Sequence, residues 1–231
     1  MALTPERLGH GTTIEFGFRI AAPAGMVPSP LTAIDLSYPA HLGIATSGLG
    51  VATCSQATLE EAGAEGCPAN SRMGYGTAIA EVQDGPEILK ETAATSVFMA
   101  PPRDGSVALL FFADGERPLS AQIVFPGLLL PAPAPFGGDL SITVPRVPSV
   151  PGAADVAVVR LRSSIGPRSL TYYEHVGRNV LPYRPKGIVL PPRCPRGGFR
   201  FAAAFKFADA TGAVARSVVP CPRHRGKVPP Q

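Results

Sequence analysis

Tryptophan is absent from the chain, and tyrosine occurs only five times. Sugar-binding β proteins stack their ligands on exposed aromatic rings with a polar edge, so Tyr38, Tyr75, Tyr172, Tyr173 and Tyr183 are the only platforms available. Charged residues make up 16% of the chain, well under the usual quarter or so. No apolar run approaches the roughly 18 residues of a spanning helix. The run from Ile123 to Pro131 is broken by Pro126 and reads as a buried strand and its turn. Catalytic signatures are missing as well. There is no H-E-x-x-H, no P-loop, no EF-hand loop and no G-x-S-x-G; Thr46-Ser-Gly-Leu-Gly50 is a glycine-rich turn. Without C-x-x-C, neither a zinc site nor a redox pair is expected. His224 follows Cys221 by three residues, but no fourth ligand has matching spacing. No metal and no cofactor is therefore assigned.

What is present points to strands. The 231 residues are 45% hydrophobic, enough for a real core. Glycine (25) and proline (27) are frequent and interrupt helices, which favours many short strands joined by turns. Thr12–Ile20 alternates, with Ile14, Phe16, Phe18 and Ile20 on one face and Thr13, Glu15, Gly17 and Arg19 on the other. Ile34, Leu36 and Tyr38 repeat the pattern. Further strands are expected at 73–82, 95–100, 107–113, 120–130, 140–144 and 156–163. Val107–Phe112 is continuously apolar, as in a strand buried on both faces. The last strand turns amphipathic at Arg160 and Arg162. Ser55–Ala62 is the best helix candidate, capped by Ser55 and ended by Gly63 and Gly66. Phe199, Phe201, Phe205 and Phe207 share a face, and Asp209-Ala-Thr-Gly212 turns the chain back through Val214–Val219. The fold expected is an all-β antiparallel sandwich of about ten short strands, with one short helix and a C-terminal hairpin. Residues 10–224 are expected to form a single domain, with Pro131–Pro135 a loop, any internal boundary near 131–151, and 225–231 a tail.

Four cysteines allow three pairings, and spacing alone does not choose among them. Local pairing is the simplest: Cys54 with Cys67 around the helix, and Cys194 with Cys221 around the hairpin. Strict register about the 209–212 turn sets Cys221 opposite position 200, so Arg196-Gly-Gly198 must fold back to bring Cys194 within reach.

Two segments carry a likeness to known sequences. One is Thr53-Cys-Ser…Leu59 running to Gly66-Cys-Pro-Ala-Asn-Ser-Arg-Met-Gly74; the other is Cys194-Pro-Arg-Gly-Gly-Phe199 running to Val219-Pro-Cys-Pro222. Both resemble uncharacterised secreted cysteine-paired β-sandwich proteins of high-GC actinobacteria. There a cysteine-plus-helix loop precedes a strand that starts CPxxSxxG, and a second cysteine pair frames a final aromatic-rich strand and its return. The turn of that hairpin often reads Asp-Gly and here reads Asp209-Ala210. The resemblance implies export to an oxidising compartment, extracellular or in the cell envelope. Met1–Leu8 lacks the apolar core of a signal peptide, so the chain as written is expected to start downstream of its export signal.

Charge is divided unevenly along the chain. Residues 1–150 hold 7 Lys/Arg against 14 Asp/Glu, and residues 151–231 hold 14 against 3. One reading is that the halves neutralise each other within one fold; the other is a basic surface for an anionic partner. Only Arg223–Lys227 is a basic cluster. Of the four histidines, only His175 has chemical company, in Tyr172-Tyr-Glu-His175. Tyr172, Tyr173 and His175 are thus the candidate ligand residues. If that segment is extended, Tyr172 and Tyr173 point to opposite faces, leaving one for solvent or a ligand. Nucleic acid is not an expected partner, because the phenylalanines beside Arg200 and Lys206 face the other way. The function expected is non-catalytic, structural or adhesive work outside the cytoplasm. The alternative is a binding module for cell-wall glycan or another polyanion through the basic C-terminal half.

Overall fold

The computed structural model describes residues 1–44, 48–116, 121–147 and 156–222. Among them are fifteen strands and one α-helix. The first half holds β1 (Ala2–Thr4), β2 (Gly11–Arg19), β3 (Leu31–Pro39), β4 (Gly43–Ile44), helix α1 (Gln56–Ala62), β5 (Arg72–Asp84), β6 (Glu87–Met99) and β7 (Ala108–Gly115). The second half holds β8 (Gln122–Leu130), β9 (Phe136–Thr143), β10 (Ala157–Ile165), β11 (Tyr172–Val176), β12 (Asn179–Tyr183), β13 (Ile188–Val189), β14 (Phe199–Phe207) and β15 (Gly212–Val219).

Thirteen strands form one sheet in the order β15-β14-β3-β9-β8-β7-β6-β5-β10-β2-β13-β4, with β1 beside β2. Every strand pair is antiparallel. Strands β5 to β9 run as a meander, and β10 then crosses over to lie between β5 and β2. The sheet curls until its two ends face each other. Phe18 on β2 meets Phe205 on β14 edge to face, with ring centroids 5.0 Å apart. The result is an all-β architecture that is both sandwich-like and barrel-like, closed by packing of side chains where β2 and β14 meet. Its interior is apolar, built from Ile34, Val97, Leu109, Leu140, Ile142 and their neighbours.

The curl has a local cause. Gly17, Gly74 and Gly76 flank β10 on both sides, and a Cβ on any of them would collide with a carbonyl oxygen of β10, at Leu161, Ser164 and Arg162 respectively. Their bare backbones let neighbouring strands approach closely where the sheet bends. The apolar strand β7 is covered on both faces, as its sequence requires. Leu109 and Phe111 belong to the interior cluster, whereas Ala108, Leu110 and Phe112 pack beneath α1 with Leu59, Cys54 and Cys67. The helix is capped as its sequence implies: the Ser55 hydroxyl accepts the Thr58 N–H at 3.1 Å, and Gly63 ends it at φ 64°.

Both local disulfides are present, Cys54–Cys67 with Cα atoms 5.4 Å apart and Cys194–Cys221 at 6.0 Å. The C-terminal hairpin is present too, but its register differs from the expectation. The ladder pairs Lys206 with Gly212 and Phe199 with Val219, so its continuation sets Cys221 against position 197 instead of 200. The cause is a turn that sits earlier, over 208–210, in which the Ala210 N–H donates to the Phe207 carbonyl and Ala210 sits at φ 65°. Gly197 (φ 82°) and Gly198 (φ 87°) then fold the chain back to Cys194, the Gly198 N–H donating to the Pro195 carbonyl at 3.0 Å.

The strand count exceeds the ten or so expected. The extra strands β1, β4 and β13 are two or three residues long and carry no readable period. Strand β6 starts at Glu87, across a Gly85-Pro86 turn from Asp84, and its polar first half has no apolar alternation. Hairpin β11–β12 forms a separate two-stranded sheet, where Pro182 is tolerated because β12 has one partner only. The basic run Arg223–Lys227 with His224, the tail 225–231, and Thr46 and Ser47 of the glycine-rich turn lie outside the described residues.

Candidate functional site

The structure divides the Tyr-Tyr-Glu-His segment. Tyr172 is 0% exposed and Tyr173 48% exposed, on opposite sides of β11. The Tyr172 hydroxyl accepts the Gly50 N–H at 2.8 Å and donates to the Arg72 carbonyl at 2.6 Å. Its ring stands edge-on to Tyr183, with centroids 5.8 Å apart. Burial pushes the Tyr172 phenol up to about 12, against a smaller lowering by the Gly50 N–H. Tyr172 therefore ties β11 to the main sheet and has no face open to a ligand. Tyr173 and His175 are exposed, and the His175 side chain makes no hydrogen bond among the described residues. No group of three His, Cys, Asp or Glu residues suited to a metal occurs among the described residues.

The CPxxSxxG segment explains how that hairpin is held. Cys67 is fixed by its disulfide, and the buried Ser71 hydroxyl donates to the Pro68 carbonyl at 2.6 Å. Asn70 grips the backbone of Tyr173 twice, donating to its carbonyl at 2.7 Å and accepting its N–H at 2.9 Å. Gly74 then admits the close approach of β10. Every residue of the motif with a distinct role serves structure.

A second site, which sequence reading did not assemble, lies on the outer face of β2, β10 and β5. An open groove of about 850 Å³ is lined there by Arg19, Arg160, Arg162, Thr77 and Tyr75, with Glu15 at its edge and Gly17 clearing its floor. Antiparallel register places Arg160 directly opposite Arg19, and Arg162 opposite Gly17. All three guanidinium side chains are on exposed residues. None makes an ion pair among the described residues. The nearby acids are committed elsewhere, Glu15 to Arg168 and Glu81 to Lys90 at 3.1 Å. Like charges facing each other across a ladder destabilise a sheet, and here two arginines do so beside a third. Arg160 and Arg162 come from the basic half of the chain and Arg19 from the acidic half. Elsewhere the halves pair with each other, at Arg168–Glu15 and at Lys206–Asp35 (3.9 Å).

The sequence signal for this site was partial. Amphipathic alternation put Arg160 and Arg162 on one face of their strand and Arg19 on the polar face of another. What alternation does not carry is that β10 and β2 are neighbours, or in which register. Among the described residues, no helix is long and apolar enough to cross a membrane. No family model, curated protein or solved structure matches the chain.

Proposed function

We propose that the protein is a non-catalytic, secreted or envelope-associated module whose adhesive work is to hold an anionic polymer, such as a wall glycan bearing acidic groups, in the Arg19–Arg160–Arg162 groove. The observation that carries this reading is the cross-strand pair Arg160 and Arg19, neither of which is ion-paired among the described residues, the one acid lining the groove, Glu15, being engaged by Arg168. An anion between the two would convert a repulsive arrangement into an attractive one, and guanidinium forks suit carboxylate and phosphate oxygens in particular. Tyr75 and Thr77 border the same groove and supply an aromatic surface and a hydroxyl. Two disulfides favour an oxidising compartment as the place of work.

The reading is tested by retention on an immobilised anionic wall polymer across a salt series. Retention at low ionic strength that is lost towards about 1 M, where the Debye length is about 3 Å, is the expected result. Absence of retention at low salt overturns it.

A further inference from the structure

We infer that the interior of the barrel is itself a binding site, for the chain of a slender apolar molecule such as an acyl chain. Eight strands consecutive in the sheet, from β3 round to β2, line a cavity of about 160 Å³. A barrel of about eight strands is just wide enough either to be filled by its own side chains or to hold one small ligand, and here a ninth strand, β14, completes the closure against β2. The inward residues decide between these. Ala78, Ala80, Ala93 and Ala113 stand at inward positions where a filled interior would place larger side chains. The aromatic rings Phe16, Phe18, Phe111 and Phe125 also point inward, yet remain only half-buried. Protein interiors rarely leave such space, and an apolar void of about 150 Å³ stays dry and accepts a molecule the size of benzene.

A second, more open void of about 120 Å³ lies beside it, among Met1, Met73, Leu109, Leu129, Leu140 and Phe201. Phe16 and Leu36 line both voids, so the two are neighbours across those side chains, which form a waist between them. Two adjoining apolar spaces suit a chain better than a compact ring system. The larger void also carries charge: Glu91, 7% exposed, and Arg146 line it near the start of β6 and just after the end of β9. The polar end of the occupant belongs there. This site lies on the opposite face of the same strands from the arginine groove, and it stands or falls independently of the proposed adhesive role.

The test is calorimetric titration of the full chain with hexanoate, octanoate and decanoate, and with decanol as the neutral counterpart. One site per chain, with affinity rising with chain length for both head groups, is expected. Methyl resonances of Ile34, Leu36 and Ile142 should shift on binding. Ala93→Leu fills the larger void; it should weaken decanoate at least tenfold and raise the melting temperature, as filling a real void does. Should Ala93→Leu fail to fold, Ala78→Val gives the same readings in milder form. Leu36→Ala opens the waist and should favour decanoate over hexanoate further. The inference is overturned by no binding of any chain, by unchanged affinity in a folded filled variant, or by shifts confined to surface methyls such as Val214 and Val218.

Discussion

Tyr172 shows how one buried hydroxyl can hold two parts of a fold together. Its oxygen satisfies the Gly50 N–H and the Arg72 carbonyl at once, from a ring with no exposed surface. Tyr172→Phe leaves both groups unpaired and should cost about 2 kcal/mol in urea denaturation, whereas Tyr173→Phe, at an exposed ring, should change little. The same residue gives a pH dependence. The phenol ionises near 10 when unfolded and at about 12 when folded. Between those values the unfolded chain loses a proton that the folded chain keeps, so stability falls as pH rises from about 10 to about 12. Comparison with Tyr172→Phe isolates this contribution; an identical slope in the variant would contradict it. Gly76 is the contrasting case, where the absence of a side chain is the requirement. A Cβ there would strike the Arg162 carbonyl, and Gly76→Ala should cost on the order of 2 kcal/mol. Alternation made the opposed directions of Tyr172 and Tyr173 legible in the sequence. Which of the two is buried was not, because that depends on Asn70, in the short turn before β5, and on β5 itself, about a hundred residues away in the chain.

Among the elements, those with local causes were readable and those with distant causes were not. Helix α1 carries its own cap in Ser55 and its own stop in Gly63. Strand β7 is continuously apolar from Ala108 to Ala113 because α1 covers the face that would otherwise meet solvent. Strand β8 runs straight through Pro126, where the sequence suggested an interruption. Its pairing with β9 begins only at Gly127, so the missing N–H falls beside an unpaired stretch. The C-terminal hairpin was legible as a hairpin, but its register depended on a turn whose left-handed residue is Ala210, not a glycine. The two cysteine staples are elements in the same sense. Cys194–Cys221 spans 27 residues and should contribute about 3.5 kcal/mol by the loop-entropy relation; Cys54–Cys67 spans 13 and should contribute about 3 kcal/mol. Replacing each pair by serine and measuring the denaturation midpoint checks both, with the larger loss expected at the C-terminal pair. A smaller loss there would place the hairpin's stability in its phenylalanine face, where Phe199 and Phe201 pack with Leu3 and Leu190.

At the scale of the whole molecule, strand order decides what the surface can do. The all-β class followed from composition and alternation. The curl, the hollow interior and the arginine groove did not, since each depends on β10 inserting between β5 and β2. That crossover brings Arg160 and Arg162 from the basic half against Arg19 from the acidic half, and it turns scattered basic residues into one site. The most direct test asks whether binding resides in that groove or in the general positive charge of residues 151–231. Arg19, Arg160 and Arg162 are changed together to Gln, and separately Arg193, Arg196 and Arg200, which are equally exposed and lie outside the groove. Affinity for the anionic wall polymer is then measured for both triple variants and the parent at one low ionic strength. Loss of at least about tenfold in the first variant, a change of about 1.4 kcal/mol, with the second close to the parent, is the result expected. Equal loss in the two variants, or none in the first, would contradict an arginine groove as the site of adhesion.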